Sequence, residues 1–373
     1  MIKNRIKENI KVIKILHISP NFNYSCGVSK HVYINLKNLS KNSNYNLFFI
    51  TNKGDSVNRL EDISGLNFTL LNFEKDHKNY LKLIKDYFQL LSYCKKNRIE
   101  IIHTHHRYPE LLSVLVSMVT DVKTITTVHS FVSGLKTLSF RSDKIITVSK
   151  AVEEHLYKNY THSKGRCKTI YNCIDESFYE SGEFDIHNLK KSLGYTDSDK
   201  IILFAGRISR IKGVNTLISA FVKINRLNEN VKLILLGQIE DINISQAIKG
   251  FEKQILVIQP TENVIGFYQV ADVVVLPSRA DPFPYVMLES GAMKKPFIGS
   301  RIGGIAEFIE DGVNGILFEP GNYDQLADKI IFLLNDPKQA EVLAEALYQK
   351  VKRECNCEKY FDRMEIIYHE ILD

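Results

Sequence analysis

Apolar residues in this chain fall in short dense runs, separated by longer stretches where they recur every three or four positions. The runs at Lys14–Ile18, Asn46–Thr51, Ile99–His103, Lys123–His129 and Lys144–Ser149 have strand length and no strict alternation, the pattern of strands buried on both faces. Between them, the loop NFNYSCGVSKHV leads into a helix carrying Val28, Val32, Ile34 and Leu36. A longer helix from about Tyr80 to Asn97 places Leu81, Ile84, Phe88 and Leu91 at helical spacing, and another helix starts at Lys150. Lys168–Asn172 closes this series. A second one opens at Ile201-Ile202-Leu203-Phe204 and continues through Val231–Leu236, Ile255–Ile258, Val273–Leu276 and Pro296–Ser300, with helices between. Strands alternating with helices predict doubly wound parallel sheets. The expected organisation is a Rossmann-like domain over 1–175, a polar linker with a short helix over 176–198, and a second such domain over 199–355. A C-terminal helix over 356–373, carrying Tyr360, Met364, Ile367 and Ile371, is expected to pack back on the first domain.

Length and composition agree with that division. A chain of 373 residues exceeds a single typical core, and 44% hydrophobic with 25% charged residues is ordinary for a globular protein. The opening MIKNRIKENIKV has no apolar centre of signal-peptide length, and no run reaches the 18 or so apolar residues of a membrane span. The six cysteines are scattered without metal-like pairing, and Cys355 and Cys357 stand too close for an ordinary disulfide framework, so reduced thiols in a cytoplasmic protein are expected. Charge is uneven. Residues 1–180 hold 27 Lys/Arg against 16 Asp/Glu, while the remainder holds 22 against 27. The first half is therefore the one suited to an anionic partner or membrane surface, with a plain solvated basic surface as the alternative. The basic residues are dispersed and carry no nucleic-acid reader motif.

Candidate chemistry gathers at the ends of the apolar runs, where open parallel sheets bind ligands. His103, His105 and His106 end one run and His129 another; a histidine cluster in a cleft accounts for them better than a metal site, since no carboxylate follows at ligand spacing. Gly27 opens a helix directly after a strand, a place suited to an anion. After the run at Ile201, GRISRIKG sets Arg207 and Lys212 around a turn, as a clamp for a diphosphate requires. After the run at Val273, SRADPFPYVMLESG places Asp281 on a loop held extended by Pro282 and Pro284, and Glu289 in the helix beyond.

The order GRxxxxKG, then Asp281-Pro282-Phe283 with Glu289 eight positions on, then RIGGIAE at 301–307 and DGVNGIL at 311–317, closely resembles the family 4 retaining glycosyltransferases of the GT-B fold. The resemblance spans about residues 200–337, and extends more loosely to Gly27, His103-Thr104-His105, Thr127-Val128-His129, Val148-Ser149 and Tyr171-Asn172. It implies that Arg207 and Lys212 bind a donor diphosphate, and that Asp281 contacts the transferred sugar while Glu289 holds the ribose. Backbone N–H groups of Phe283, Tyr285 and Val286 complete the phosphate site, Gly27 approaches the phosphates, and His129 lies near the reaction centre. Three positions depart from the family pattern: Asp281 stands where glutamate is usual, Cys26-Gly27 where two glycines are frequent, and Cys173 where glycine commonly follows asparagine.

The activity so implied is transfer of a sugar from a UDP- or GDP-sugar to a glycan or lipid-linked acceptor with retained configuration, in cell-surface polysaccharide or lipopolysaccharide assembly. No metal or other cofactor is expected, and the protein is expected in the cytoplasm or peripherally on the inner face of the membrane. The two acids serve different parts of the donor and are not a glycosidase acid–base pair. Two other readings stay open at this level: a sugar-nucleotide epimerase or hydrolase on the same fold, and a non-catalytic sugar-nucleotide-binding protein.

Overall fold

The computed structural model describes residues 12–74, 80–180, 185–261 and 263–373. Most of MIKNRIKENIKV, and Gly182 of the linker, lie outside the described residues. Among the described residues, seven strands form the first sheet: β1 Ile13–Ile18, β2 Tyr45–Thr51, β3 Asn67–Leu70, β4 Ile101–Thr104, β5 Lys123–Val128, β6 Lys144–Thr147 and β7 Cys167–Thr169. Their order is β3-β2-β1-β4-β5-β6-β7, all parallel. Six strands form the second: β8 Lys200–Ala205, β9 Val231–Leu236, β10 Ile255–Ile258, β11 Val273–Leu276, β12 Phe297–Ser300 and β13 Ile316–Phe318, in the order β10-β9-β8-β11-β12-β13. These are two doubly wound α/β units, the GT-B architecture. Two strands escape the apolar pattern. Strand β3 lies at an edge with its residues half-buried or exposed, and β13 has only three residues.

Each sheet reverses its winding between two neighbouring strands, β1 and β4 in the first, β8 and β11 in the second. Loops leaving the C-terminal ends of such a pair part in opposite directions and leave a crevice. The central strands are fully apolar inside, with Ile201 to Phe204 and Val273 to Val275 shut off from solvent.

Between the sheets, Asp175 caps a short turn at Glu176–Phe178, and Asp185 caps the Ile186–Ser192 helix. The Cys357–Glu370 helix follows the second sheet and lies against the first. Its Tyr368 hydroxyl is 2.8 Å from His103 Nδ1, and Asn42 donates to Glu365 at 2.7 Å. Cys173 meets this helix at its start, with its Sγ 3.2 Å from that of Cys357, and the Ile174 N–H donates to the Cys355 carbonyl at 2.9 Å.

The Tyr80–Asn97 helix forms as its periodicity predicts but turns differently. Its buried residues are Asp86, Leu90 and Cys94, while Leu81, Ile84 and Phe88 face outward. Leu83 and Tyr87 of the neighbouring row, with Leu91 at the end of the expected one, already cover the sheet, so Leu81, Ile84 and Phe88 have nothing beneath them to bury.

Candidate functional site

The second-domain half of the site sits on the loops after β8 and β11, the switch-point pair. Gly213 carries a φ of 73°, and a Cβ there would lie 1.8 Å from the Pro277 carbonyl, so only glycine lets the two loops meet. The next constraint comes from RIGGIAE. A Cβ on Gly304 would fall 1.9 Å from the Pro282 carbonyl, and the Gly304 N–H donates to the Asp281 carbonyl at 3.1 Å. The acidic loop is thus held from both sides by backbone. Pro284 is the N-cap of the Tyr285–Ala292 helix, whose first N–H groups have no intrahelical acceptor.

Within this frame Lys212 Nζ donates to Asp281 Oδ2 at 2.6 Å, and Ser278 Oγ donates to the same oxygen at 3.1 Å. Asp281 is almost fully buried. Arg207 is turned elsewhere: one guanidinium nitrogen reaches both carboxylate oxygens of Glu240 at 3.1 Å, in a half-exposed position. Glu289 is buried in its helix and accepts from the Tyr268 hydroxyl and from Lys30 of the first domain. Lys30 also lies over the rings of Phe178 and Tyr285, 4.6 and 5.3 Å from their centroids.

The first domain approaches this loop helix-end to helix-end. Gly27 is the first residue of the Gly27–Leu39 helix, and a Cβ there would touch the Tyr285 ring at 3.8 Å. That is ordinary contact, so the space itself does not demand glycine. Asn172 donates to the Phe283 carbonyl at 3.0 Å, and Tyr171 stacks on the Phe283 ring with centroids 4.7 Å apart. Val286 is half-buried in the same core.

Histidines fill the floor of the first domain. His17 on β1 faces His105 (Nδ1 to Nε2, 3.2 Å), and His105 in turn faces His129 (Nδ1 to Nε2, 3.2 Å). The His31 ring lies 4.6 Å from that of His129 and sits between Asn172 Oδ1 at 3.1 Å and the Tyr360 hydroxyl at 3.3 Å. Burial pushes these imidazoles down: His17 to about 3 and His31 to about 4, with His103, His105 and His129 also held well below the ordinary histidine value. Mutual repulsion among the rings adds to the effect. They are neutral at physiological pH, the form that binds metals, and the nitrogens of His17, His103 and His105, or of His31, His105 and His129, lie within 4.8 Å of one another. Most of those nitrogens already have protein partners: His103 faces Thr127 at 2.7 Å as well as Tyr368, and His31 and His105 are engaged at both nitrogens, while His17 Nε2 is buried without a partner. The set forms a hydrogen-bonded support beneath the His129 ring. His106 stands apart as the N-cap residue of the Arg107–Ser117 helix.

Lys212 and Asp281 are brought together, Glu289 and Gly27 flank the start of the Tyr285–Ala292 helix, and His129 ends the imidazole chain; Arg207 is the residue drawn away, toward Glu240. Sequence reasoning missed Lys30, His31 and Tyr268 as part of this site, and reached Asn172 only within the looser first-domain resemblance. Lys30 and His31 stand one helical turn beyond Gly27, so the helix opening itself carried a signal. It also missed the use of Glu307. This carboxylate accepts from the backbone N–H groups of Lys150 and Ala151, both at 2.9 Å, and from the Tyr171 hydroxyl at 2.7 Å.

Residues 26–178 match the family described as Glycosyltransferase Family 4, and residues 185–350 match Glycosyl transferases group 1. The chain is 29% identical to the N-acetyl-alpha-D-glucosaminyl L-malate synthase of Bacillus anthracis over 296 residues, 75% of this chain and 77% of that protein. It is 31% identical to the lipopolysaccharide 1,2-N-acetylglucosaminetransferase of Salmonella typhimurium over 176 residues, 43% of this chain and 45% of that one. The fold matches the crystal structure of Anabaena HepE in complex with UDP-glucose with a TM-score of 0.83 at 19% identity, covering 96% of this chain and 100% of that one.

Proposed function

This chain belongs to the family 4 glycosyltransferases, and from that premise we propose that it transfers a sugar from a nucleoside-diphosphate sugar to a hydroxyl of a glycan or lipid-linked acceptor, with retained anomeric configuration. The observation that carries this reading is the meeting, at one switch point, of the Arg207–Lys212 turn, the Asp281 loop and the start of the Tyr285–Ala292 helix. Lys212 and a helix N-terminus at one crevice, with Arg207 able to swing in by leaving Glu240, suit the two negative charges of a diphosphate. UDP-glucose bound to the HepE fold supports a nucleotide-sugar donor.

In this reading Lys212 and Arg207 stabilise the charge that builds on the departing diphosphate as the glycosidic bond lengthens. They supply the positive charge that a divalent ion would otherwise bring. Asp281 orients the sugar and Lys212 together, and Glu289 accepts from the ribose hydroxyls after exchanging its Lys30 contact. A diphosphate oxygen takes the acceptor proton as the new bond forms on the face the leaving group vacates. His129, neutral and held by His105, positions the sugar. The first domain takes the acceptor, and its basic balance suits a phosphorylated or lipid-linked one at the cytoplasmic face of a membrane. The Salmonella relative is a lipopolysaccharide transferase, which supports that setting.

The test is a panel of UDP-, GDP- and ADP-sugars scored by thermal shift. One donor class should raise the melting temperature of the wild type, and Glu289→Ala or Arg207→Ala should abolish most of that rise. An unchanged rise in both variants sinks the site assignment.

A further inference from the structure

The Tyr80–Asn97 helix carries an apolar row that the domain does not use. Tyr80, Leu81, Ile84 and Phe88 are 81%, 78%, 53% and 60% exposed. At 100° per residue they fall within an arc of about 100° on one side of the helix. The adjoining side seals the sheet through Leu90 and Cys94. We propose that this outward row is a docking surface for an anionic lipid bilayer, an inference that rests on the membrane-facing acceptor assigned above.

Charge selects the occupant. Lys85, Lys95 and Lys96 are exposed on the same outward side and make no salt bridge among the described residues. The helix has one acid, Asp86, and it is buried, ion-paired with Lys82 and accepting from the Tyr108 hydroxyl at 2.8 Å. On the helix itself the outward side therefore presents apolar side chains and ammonium groups, and carboxylates from neighbouring segments, Glu100 and Asp121, stand only beside Lys95 at its far end among the described residues. That is the character of a helix lying in a bilayer interface, with its apolar residues among acyl chains and its lysines at anionic headgroups. A second copy of this chain is a poorer occupant, because a symmetric contact would bring the same lysines toward one another.

Position agrees with use. Tyr108 is the second residue of the Arg107–Ser117 helix, which leaves the C-terminal end of β4, and its bond to Asp86 sets the first turns of the Tyr80–Asn97 helix level with that edge of the sheet. The same edge carries His105 and His129. A bilayer touching Leu81 and Ile84 would therefore lie beside the mouth of the first-domain site, where a lipid-linked acceptor could enter with its tail still in the membrane.

Co-sedimentation of the full chain with phosphatidylcholine vesicles, with and without phosphatidylglycerol, tests the proposal at low salt. The wild type should sediment with the anionic vesicles and stay in solution with the neutral ones. Lys85→Glu/Lys95→Glu/Lys96→Glu should lower partitioning roughly a hundredfold, since each lysine contributes about fivefold near such a surface. Leu81→Ser/Ile84→Ser/Phe88→Ser should lower it by on the order of tenfold or more. Both variants should keep the wild-type melting temperature and donor-induced shift, which separates lost docking from lost folding. Wild type that ignores anionic vesicles, or variants that bind as the wild type does, would overturn the proposal. So would a wild-type dimer that the serine variant converts to monomer. A missing donor shift with intact vesicle binding would instead count against the proposed reaction alone.

Discussion

Asp281 and Lys212 hold each other at 2.6 Å where little water reaches either, the carboxylate side chain being 4% exposed and the lysine 19%. Two charges drawn from water in this way are stable as a pair and costly apart. The short arm of aspartate is sufficient because backbone contacts at Gly213 and Gly304 fix the two loops at contact distance. Asp281→Ala should cost about 3 kcal/mol in urea denaturation by leaving the lysine unpaired, whereas Asp281→Ala/Lys212→Met should recover part of that loss. Strictly additive costs in the double-mutant cycle would show that the pair is not coupled. The aspartate and the lysine are both legible in the sequence as site residues. Their mutual contact is not, because 69 residues separate them and only loop geometry joins them.

Among the elements, the Lys150–Asn159 helix shows how the two domains are fastened. Ser149 accepts from the Val152 N–H at 3.3 Å, and Glu307 from the second domain takes the two N–H groups before it. A carboxylate at a helix N-terminus satisfies donors and meets the positive end of the helix dipole. Glu307→Ala should therefore cost about 2 kcal/mol of stability and weaken the contact between domains, seen as a lower melting temperature and faster proteolysis near the 173–198 segment. Glu307→Gln should retain part of the hydrogen bonding and fall between; equal stability of all three proteins would refute the role. The sequence marks Glu307 as part of RIGGIAE. What it caps lies 157 residues earlier in the chain.

On the scale of the molecule, the first sheet is built over a patch of buried, neutral imidazoles drawn from β1, β4, the end of β5 and the Gly27–Leu39 helix. Their folded-state values are depressed, so the unfolded chain takes up protons first as pH falls below about 6.5. Stability is whole above that value and is lost as pH falls toward about 4, where His31 titrates in the folded state. The slope should reach about 1.4 kcal/mol per pH unit for each such histidine. Urea midpoints measured between pH 7 and 5 should fall, and His17→Gln should flatten the fall; a level wild-type profile would exclude this account.

The sequence by itself determined that the chain forms two parallel-sheet units, because buried strands and amphipathic helices write their burial directly into apolar spacing. It also placed Gly27, His129, Arg207, Lys212 and Asp281 at element ends and Glu289 in the helix that follows, since glycine, proline and charge punctuate those ends locally. Only the tertiary structure decided which of these touch: Lys212 with Asp281, Arg207 with Glu240, and Lys30 with Glu289. It alone turned Leu81, Ile84 and Phe88 outward. Periodicity states that a helix has an apolar row; which row meets the sheet depends on the packing of residues far away in the chain.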